Sequence, residues 1–253
     1  MRVNQRVLSG IVLAAALAAL PAGAQQPAPG SSSKEALAVV DKLIGAMGGR
    51  KVLESIRDAT ISGSAEIVPF GITVPVTIYQ KEPNKLRVDL TITEANMTIV
   101  QAFDGERGWM TNPQSGSNED MPEFMAKEMA REAGENQALL YPQKLHVTYA
   151  LKPKATIEGK DYIVLEQTLA DGHKTTFYLD PATYLPYKTQ DRSLDQSGAE
   201  VDSESYAANY QKVGGMMVPY AVRVVQNGAE AQRITVTAVT FNTNLEDAFF
   251  IRK

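Results

Sequence analysis

Residues that commonly carry out chemistry are scarce in this chain. It has no cysteine and only two histidines, His146 and His173, which lack the i, i+4 pairing of a helical metal site. No Gly-x-Ser-x-Gly nucleophile elbow, zinc motif or phosphate-binding motif is present. Asp161, Asp171 and Asp180 are most simply turn residues. The sequence therefore predicts no catalytic residue, no metal ligand and no cofactor, and we expect the protein not to be an enzyme.

The first residues have the pattern of an export signal. Arg2 and Arg6 precede an apolar run over residues 7–20, and small residues follow at positions 22–24, where a signal peptidase cleaves. The run is shorter than the roughly 20 apolar residues that span a bilayer. We therefore expect residues 1–24 to be a cleaved signal peptide, residues 25–33 a flexible lead-in, and residues 34–253 a single domain in the periplasm.

Composition narrows the possible partners and the means of stabilisation. The net charge of -4 argues against nucleic acid and against an anionic membrane surface. Without cysteine, the mature chain has no thiol for a lipid anchor and no disulfide, so burial alone must stabilise the exported domain.

The stretch from Ile61 to Phe241 alternates apolar and polar residues, as antiparallel strands do when one face is solvated. Hairpin signals occur at Asp104-Gly105, Asp171-Gly172 and Asn227-Gly228. The spacing predicts about ten to eleven strands. The apolar positions of the clearest runs are Ile61, Gly63, Ala65 and Ile67; Ile72, Val74, Val76 and Ile78; and Leu86, Val88, Leu90 and Ile92.

Three helices are predicted beside these strands. Ser33 is a good N-cap for a helix that ends near Gly48-Gly49, and a short helix over residues 50–56 follows. Residues 118–133 predict a third, amphipathic helix whose apolar face is rich in methionine. Methionine is common at permissive binding surfaces, so this helix is either a mobile lid over an apolar pocket or an ordinary core helix.

Several motifs, in this order along the chain, resemble the periplasmic lipoprotein carriers of the LolA/LolB type. They are Tyr79-Gln80-Lys81-Glu82-Pro83-Asn84, then Phe103-Asp104-Gly105 leading to Trp109 and Asn112-Pro113, and the closing segment with Leu245, Asp247 and Phe249. A further stretch over residues 177–186 is similar to a strand-turn-strand of the outer-membrane lipoprotein-sorting branch. The resemblance covers most of the mature chain.

This resemblance implies a mainly β fold with a few helices (α+β), an unclosed antiparallel β-barrel whose concave face is covered by helices. It further implies that acyl chains are held between the sheet and the helices. The wall of such a site would be Ile72, Val74, Val76, Ile78, Leu86, Val88 and Leu90, and its cover Leu37, Phe124, Met125 and Met129. Trp109 could also contact a ligand, although a lone tryptophan after a hairpin more often anchors the core.

One residue departs from the pattern of these carriers. Where they resemble one another in an arginine that ties the lid shut, this chain has Glu82. An ionised carboxylate has no hydrogen-bond donor, so it cannot reproduce the bonds of a guanidinium to lid carbonyls. Control of a lid by that route is therefore in doubt.

Three functions remain open at this point. The favoured one is a periplasmic carrier or binding protein for a lipoprotein or another acyl-chain ligand, with a membrane-embedded donor or acceptor protein as a possible partner. The second is an interaction or sensor module of the same fold without transport, which the change to Glu82 favours. The third, an enzyme acting on lipid or glycan, has no spacing evidence.

Overall fold

The computed structural model describes residues 31–93, 96–194 and 198–252. The predicted signal peptide lies outside these residues, as does most of the predicted lead-in. Hydrogen bonds of Ser32 and Ser33 hold the described end of the lead-in. The Ser32 hydroxyl accepts one from the Tyr149 N–H at 2.9 Å, and the Ser33 hydroxyl accepts another from the Ala36 N–H at 3.1 Å. Ser33 therefore caps the first helix, as predicted.

Four α-helices are described. They are α1 (Lys34–Ala46), α2 (Arg50–Ser55), α3 (Glu123–Ala133) and α4 (Glu135–Leu140). The sequence predicts a helix from Asn118, but the structure has a short strand over Asn118–Asp120 and begins α3 after Pro122. Helix α4 is not predicted from the sequence. Only Gly134 separates it from α3.

Thirteen antiparallel strands are described, and they form one curved, unclosed sheet. The class of fold is as predicted, and the strand number is slightly higher than ten to eleven, since strands as short as β5 and β6 show no alternation. The strands are β1 (Asp58–Ile67), β2 (Ile72–Lys81), β3 (Lys85–Ile92), β4 (Met97–Phe103), β5 (Gly108–Thr111), β6 (Asn118–Asp120), β7 (Thr148–Ile157), β8 (Lys160–Thr168), β9 (Lys174–Leu179), β10 (Pro186–Leu194), β11 (Glu200–Val213), β12 (Met216–Gln226) and β13 (Ala229–Phe241).

The order of strands explains why helices cross the sheet. It runs β6-β5-β4-β3-β2-β1-β13-β12-β11-β10-β9-β8-β7, so the two edge strands, β6 and β7, follow one another in the sequence. Helices α3 and α4 connect them. The connection must therefore pass from one edge of the curved sheet to the other, and α3 contacts β3, β4 and β5 on one side and β10 on the other.

Irregularities in four strand pairs accompany the curvature. The register shifts between β1 and β13, β9 and β10, β12 and β13, and β7 and β8. Such bulges bend a strand and increase its twist. The shift between β1 and β13 falls at Gly63, where an added Cβ would lie 2.1 Å from the backbone oxygen of Thr235. Glycine is required there because the two backbones approach so closely.

The two faces of the sheet are covered differently. The inner face carries the apolar residues that pack under α1, α3 and α4. On the outer face of β1–β5, the C-terminal segment lies across the strands, where the Trp109 indole N–H donates to the backbone oxygen of Phe250 at 2.7 Å. Arg87 lies between this tryptophan and the Phe249 ring, 4.2 Å from the latter, and pairs with Asp89. These contacts hold the C-terminal segment against the outer face of the strands.

We predict that Gly63→Ala lowers the free energy of unfolding by about 2 kcal/mol or more, because the new methyl group would force two strands apart at the centre of the sheet. Urea denaturation followed by circular dichroism measures the change. The matched control is Gly45→Ala in α1, where an added Cβ meets no atom within 4 Å. That change should be neutral or stabilising. Equal stability of the two variants would contradict the close approach at Gly63.

Candidate ligand-binding site

The inner face of β2 and β3 forms an apolar wall. In the register of these strands, Ile78 lies opposite Val88 and Val76 lies opposite Leu90, so their side chains share one face. Leu86 is fully buried, whereas Ile72, at the open end of β2, is 51% exposed. Six of the seven predicted wall residues pack in two adjoining apolar clusters: Val74, Val76, Ile78, Leu86, Val88 and Leu90. The seventh, Ile72, lies on the same face of β2 by alternation but outside these clusters.

Helix α3 covers one end of this wall with its methionine-rich face. Met125 and Met129 pack with Leu86, Ile78 and Val88. Phe103, Met110 and Met121 belong to the same apolar cluster. The predicted cover and the predicted wall therefore meet here through two of the four cover residues.

The other predicted contact residues lie elsewhere. Leu37 packs in a separate core, which α1, α2 and α4 form against β7–β9. The Phe124 ring lies next to Gly198, just before β11. Trp109 is buried on the outer face of the sheet, under the C-terminal segment. Ligand binding by any of these residues stays a prediction, and these three are not part of the wall.

A pocket of about 550 Å³ opens between α3, the turn before β9, and the strands β10 and β11. Its charged groups are paired: Arg131 contacts both Glu128 and Asp171, at 2.6 Å and 2.9 Å. The Arg131 bridge to Asp171 links α3 to the turn between β8 and β9. The pocket is lined by Glu123, Phe124, Lys127, Glu128, Arg131, His173, Arg192, Leu194 and Glu200.

Glu82 contacts the helical cover as a hydrogen-bond acceptor. It stands in the turn between β2 and β3, and its two carboxylate oxygens accept hydrogen bonds from two side-chain amides of α4. The Asn136 amide donates at 2.6 Å and the Gln137 amide at 2.5 Å. The carboxylate therefore holds the turn to α4 by accepting hydrogen bonds from two side chains of this helix. The sequence did not predict this contact because α4 was not predicted.

Glu132 and Glu135 lie on either side of Gly134, at the junction of α3 and α4. Asp191 of β10 shares the inner face with Phe177, since Thr189, two residues earlier, pairs with Phe177. Glu135 lies within electrostatic reach of Glu132 and Asp191. Desolvation, followed by these two like charges, raises the pKa of Glu135 to about 8. Desolvation also raises the pKa of Glu132.

Glu132 and Glu135 are exposed, although desolvation by the surrounding protein disfavours their charged forms.

Neither histidine joins a metal site. His173 lies 3.6 Å from Asp191, and His146 has a positive φ in the connection to β7. Over residues 31–93, 96–194 and 198–252, no three His, Asp or Glu side chains are placed to hold a metal ion. Within the same ranges, no helix has the length and apolar character needed to cross a membrane.

Comparison with known proteins reveals similarity of structure without similarity of sequence. No family model and no curated protein sequence matches the chain. A putative outer membrane lipoprotein-sorting protein domain from Vibrio parahaemolyticus is similar with a TM-score of 0.58 and 16% identity, covering 86% of this chain and 96% of that one.

Two further solved structures are similar to this chain in the same way. A LolA superfamily protein from Nitrosomonas europaea has a TM-score of 0.58 and 15% identity, covering 85% of this chain and 97% of that one. A DUF1329 family protein from Desulfovibrio piger has a TM-score of 0.59 and 14% identity, covering 87% and 98%. The resemblance found in the sequence motifs is confirmed at the level of the fold: the chain has the fold of the LolA-like lipoprotein-sorting proteins.

Proposed function

We propose that this protein is a periplasmic carrier or binding protein for a lipoprotein or another acyl-chain ligand, and that it is not an enzyme. The observation that carries the proposal is an apolar wall covered at one end by a methionine-rich helix that also contacts the opposite half of the sheet. Methionine side chains adapt their shape readily, so they can pack against each other when the site is empty and against hydrocarbon when it is filled.

The free energy of burying an acyl chain is large enough for a ligand to replace contacts between helix α3 and the wall. Removing an acyl chain from water contributes about 0.8 kcal/mol per CH₂ group, so an ordinary lipid tail provides roughly 10 kcal/mol. We call α3 and α4 together, residues 123–140, the lid. Its bridge from Arg131 to Asp171 is exposed and contributes at most about 1 kcal/mol. A tail therefore offers enough free energy to displace part of the lid from the wall.

The predicted export signal supports the periplasmic location. Ile72, at the exposed end of the wall, marks where a tail would enter. A membrane-embedded donor or acceptor protein remains a possible partner.

The first test asks whether the wall binds hydrocarbon. The purified protein should carry a lipid from cells in native mass spectrometry and take up a fluorescent fatty acid. Val76→Asp should weaken uptake at least about tenfold, and lower stability as well, because it places an unpaired charge on the buried wall. Val88→Thr keeps the shape of a partly exposed wall residue and should weaken uptake with less loss of stability.

The control for these variants is Thr91→Asp, which adds the same charge to the outer face of β3, where Thr91 is exposed. Uptake by this variant should match that of the unmodified protein. Empty spectra together with no uptake would count against the carrier function. Capture of a single membrane protein without lipid would instead favour an interaction module of the same fold.

The second test concerns the hydrogen bonds from α4 to Glu82. Glu82→Gln replaces one of the two carboxylate oxygens by an NH₂ group. This group is a donor and faces the amide donor of either Asn136 or Gln137, so one of the two hydrogen bonds is lost. Hydrogen bonds to a charged group contribute about 1.5–3 kcal/mol each, so hydrogen exchange of α4 amides should accelerate by about tenfold or more.

Glu106→Gln, an exposed change on the turn between β4 and β5, is the matched control and should leave α4 unchanged. If α4 exchanges at the same rate in both variants, Glu82 does not hold the lid.

A further inference from the structure

We propose that the pocket between α3 and β10–β11 binds the zwitterionic headgroup of a phospholipid, which carries a phosphate and a primary ammonium group. This names the polar part of the ligand and rests on the proposed function only for the place of the acyl chains, which is the wall. The headgroup contacts require no tail, so they are tested without one.

Helix α3 presents a different face to each half of the sheet. Met125 and Met129 pack against the wall. The residues of α3 that line the pocket recur at i, i+3, i+4 and i+7 and so form a second stripe on the same helix: Phe124, Lys127, Glu128 and Arg131. An α-helix with its side chains is about 10 Å across. A ligand with its tail and its headgroup on the two sides of α3 has only this diameter to cross.

The pocket presents both signs of charge in equal number. His173 lines it too and faces Asp191 at 3.6 Å. An anionic headgroup would meet the repulsion of the acidic side chains, and a cationic one that of the basic side chains. A zwitterion can pair each of its groups with the opposite charge. The Lys, Arg and Glu side chains of the lining are Lys127, Arg131 and Arg192, which are basic, and Glu123, Glu128 and Glu200, which are acidic.

Arg131 is held in place and still has donors for a ligand. Its side chain is 26% exposed, and it makes three hydrogen bonds: Nε and Nη2 donate to Asp171, and Nη1 donates to Glu128. A guanidinium has five N–H donors, so two of them have no acceptor within the described part of the chain. Phosphate oxygens accept such charge-assisted hydrogen bonds readily. Arg131 is therefore placed to bind the phosphate group.

The remaining ion pairs of the pocket can be exchanged for contacts with a ligand. Lys127 pairs with Glu123 at 2.7 Å and is 63% exposed, and Arg192 lies 3.6 Å from Glu200 and is 73% exposed. Exposed ion pairs contribute little to stability, so these side chains can turn toward a headgroup at small cost. The Phe124 ring adds an aromatic surface to which an ammonium group is attracted.

Two headgroups without tails test the proposal. Glycerophosphoethanolamine carries the phosphate and the ammonium group, whereas glycerophosphoglycerol carries the phosphate alone. In titrations followed by the NMR chemical shifts of α3 and β10 amides, the first should bind at least about tenfold more tightly, because a hydrogen bond to a charged group corresponds to about tenfold or more in affinity. Glu128→Gln should remove most of this preference. Arg131→Gln should weaken both probes, since both carry the phosphate.

The matched control is Glu132→Gln, the same change at an exposed residue of α3 that does not line the pocket, and it should leave both affinities unchanged. If Glu128→Gln does not fold, Glu200→Gln at the exposed edge of the pocket replaces it.

Equal affinity of the unmodified protein for the two headgroups would overturn the proposal. Absence of any shift at the limit of solubility, or an unchanged preference in Glu128→Gln, would overturn it as well. Headgroup binding without uptake of a fluorescent fatty acid would reject the carrier function and leave this inference standing. Uptake without headgroup binding would do the reverse.

Discussion

The structure depends on one constraint: a wide sheet with an apolar inner face cannot leave that face in water. Because the edge strands β6 and β7 are consecutive in the chain, the segment between them must cross the opening. Forming this segment as α3 and α4 satisfies its backbone hydrogen bonds while it passes over the concave face. The connection and the cover are therefore the same piece of chain, and any movement of one alters the exposure of the other.

The cover is attached in two different ways. Apolar contacts of Met125 and Met129 with the wall can be exchanged for contacts with another apolar body, since they have no directional requirement. Glu82 and Arg131 make polar contacts at defined positions and determine where the lid rests. Glu82 acts as the acceptor in its contact with α4, because the donors are supplied by the side chains of Asn136 and Gln137.

The outer face of the same strands behaves differently. There the C-terminal segment is held by the indole of Trp109 and by Arg87, which lies between two aromatic rings and also donates to the Phe249 backbone oxygen. Buried hydrogen bonds and stacked charges of this kind resist displacement. The wall thus has a rigid backing on one side and a replaceable cover on the other, which is the arrangement expected of a site that must keep its shape while its contents change.

The sequence by itself determined the alternation of the strands, the seven wall residues, the cap at Ser33 and the motif order that resembles the carrier fold, because each depends on local periodicity or on short segments. Tertiary structure decided which distant surfaces meet. Trp109 is buried and Leu37 is partly buried, and both are apolar, so residue type alone could not assign Trp109 to the outer face or Leu37 to a separate core. Glu82 meets α4 across 54 and 55 residues of chain. This contact depends on how the chain returns across the sheet, a property of the whole fold that no local pattern encodes.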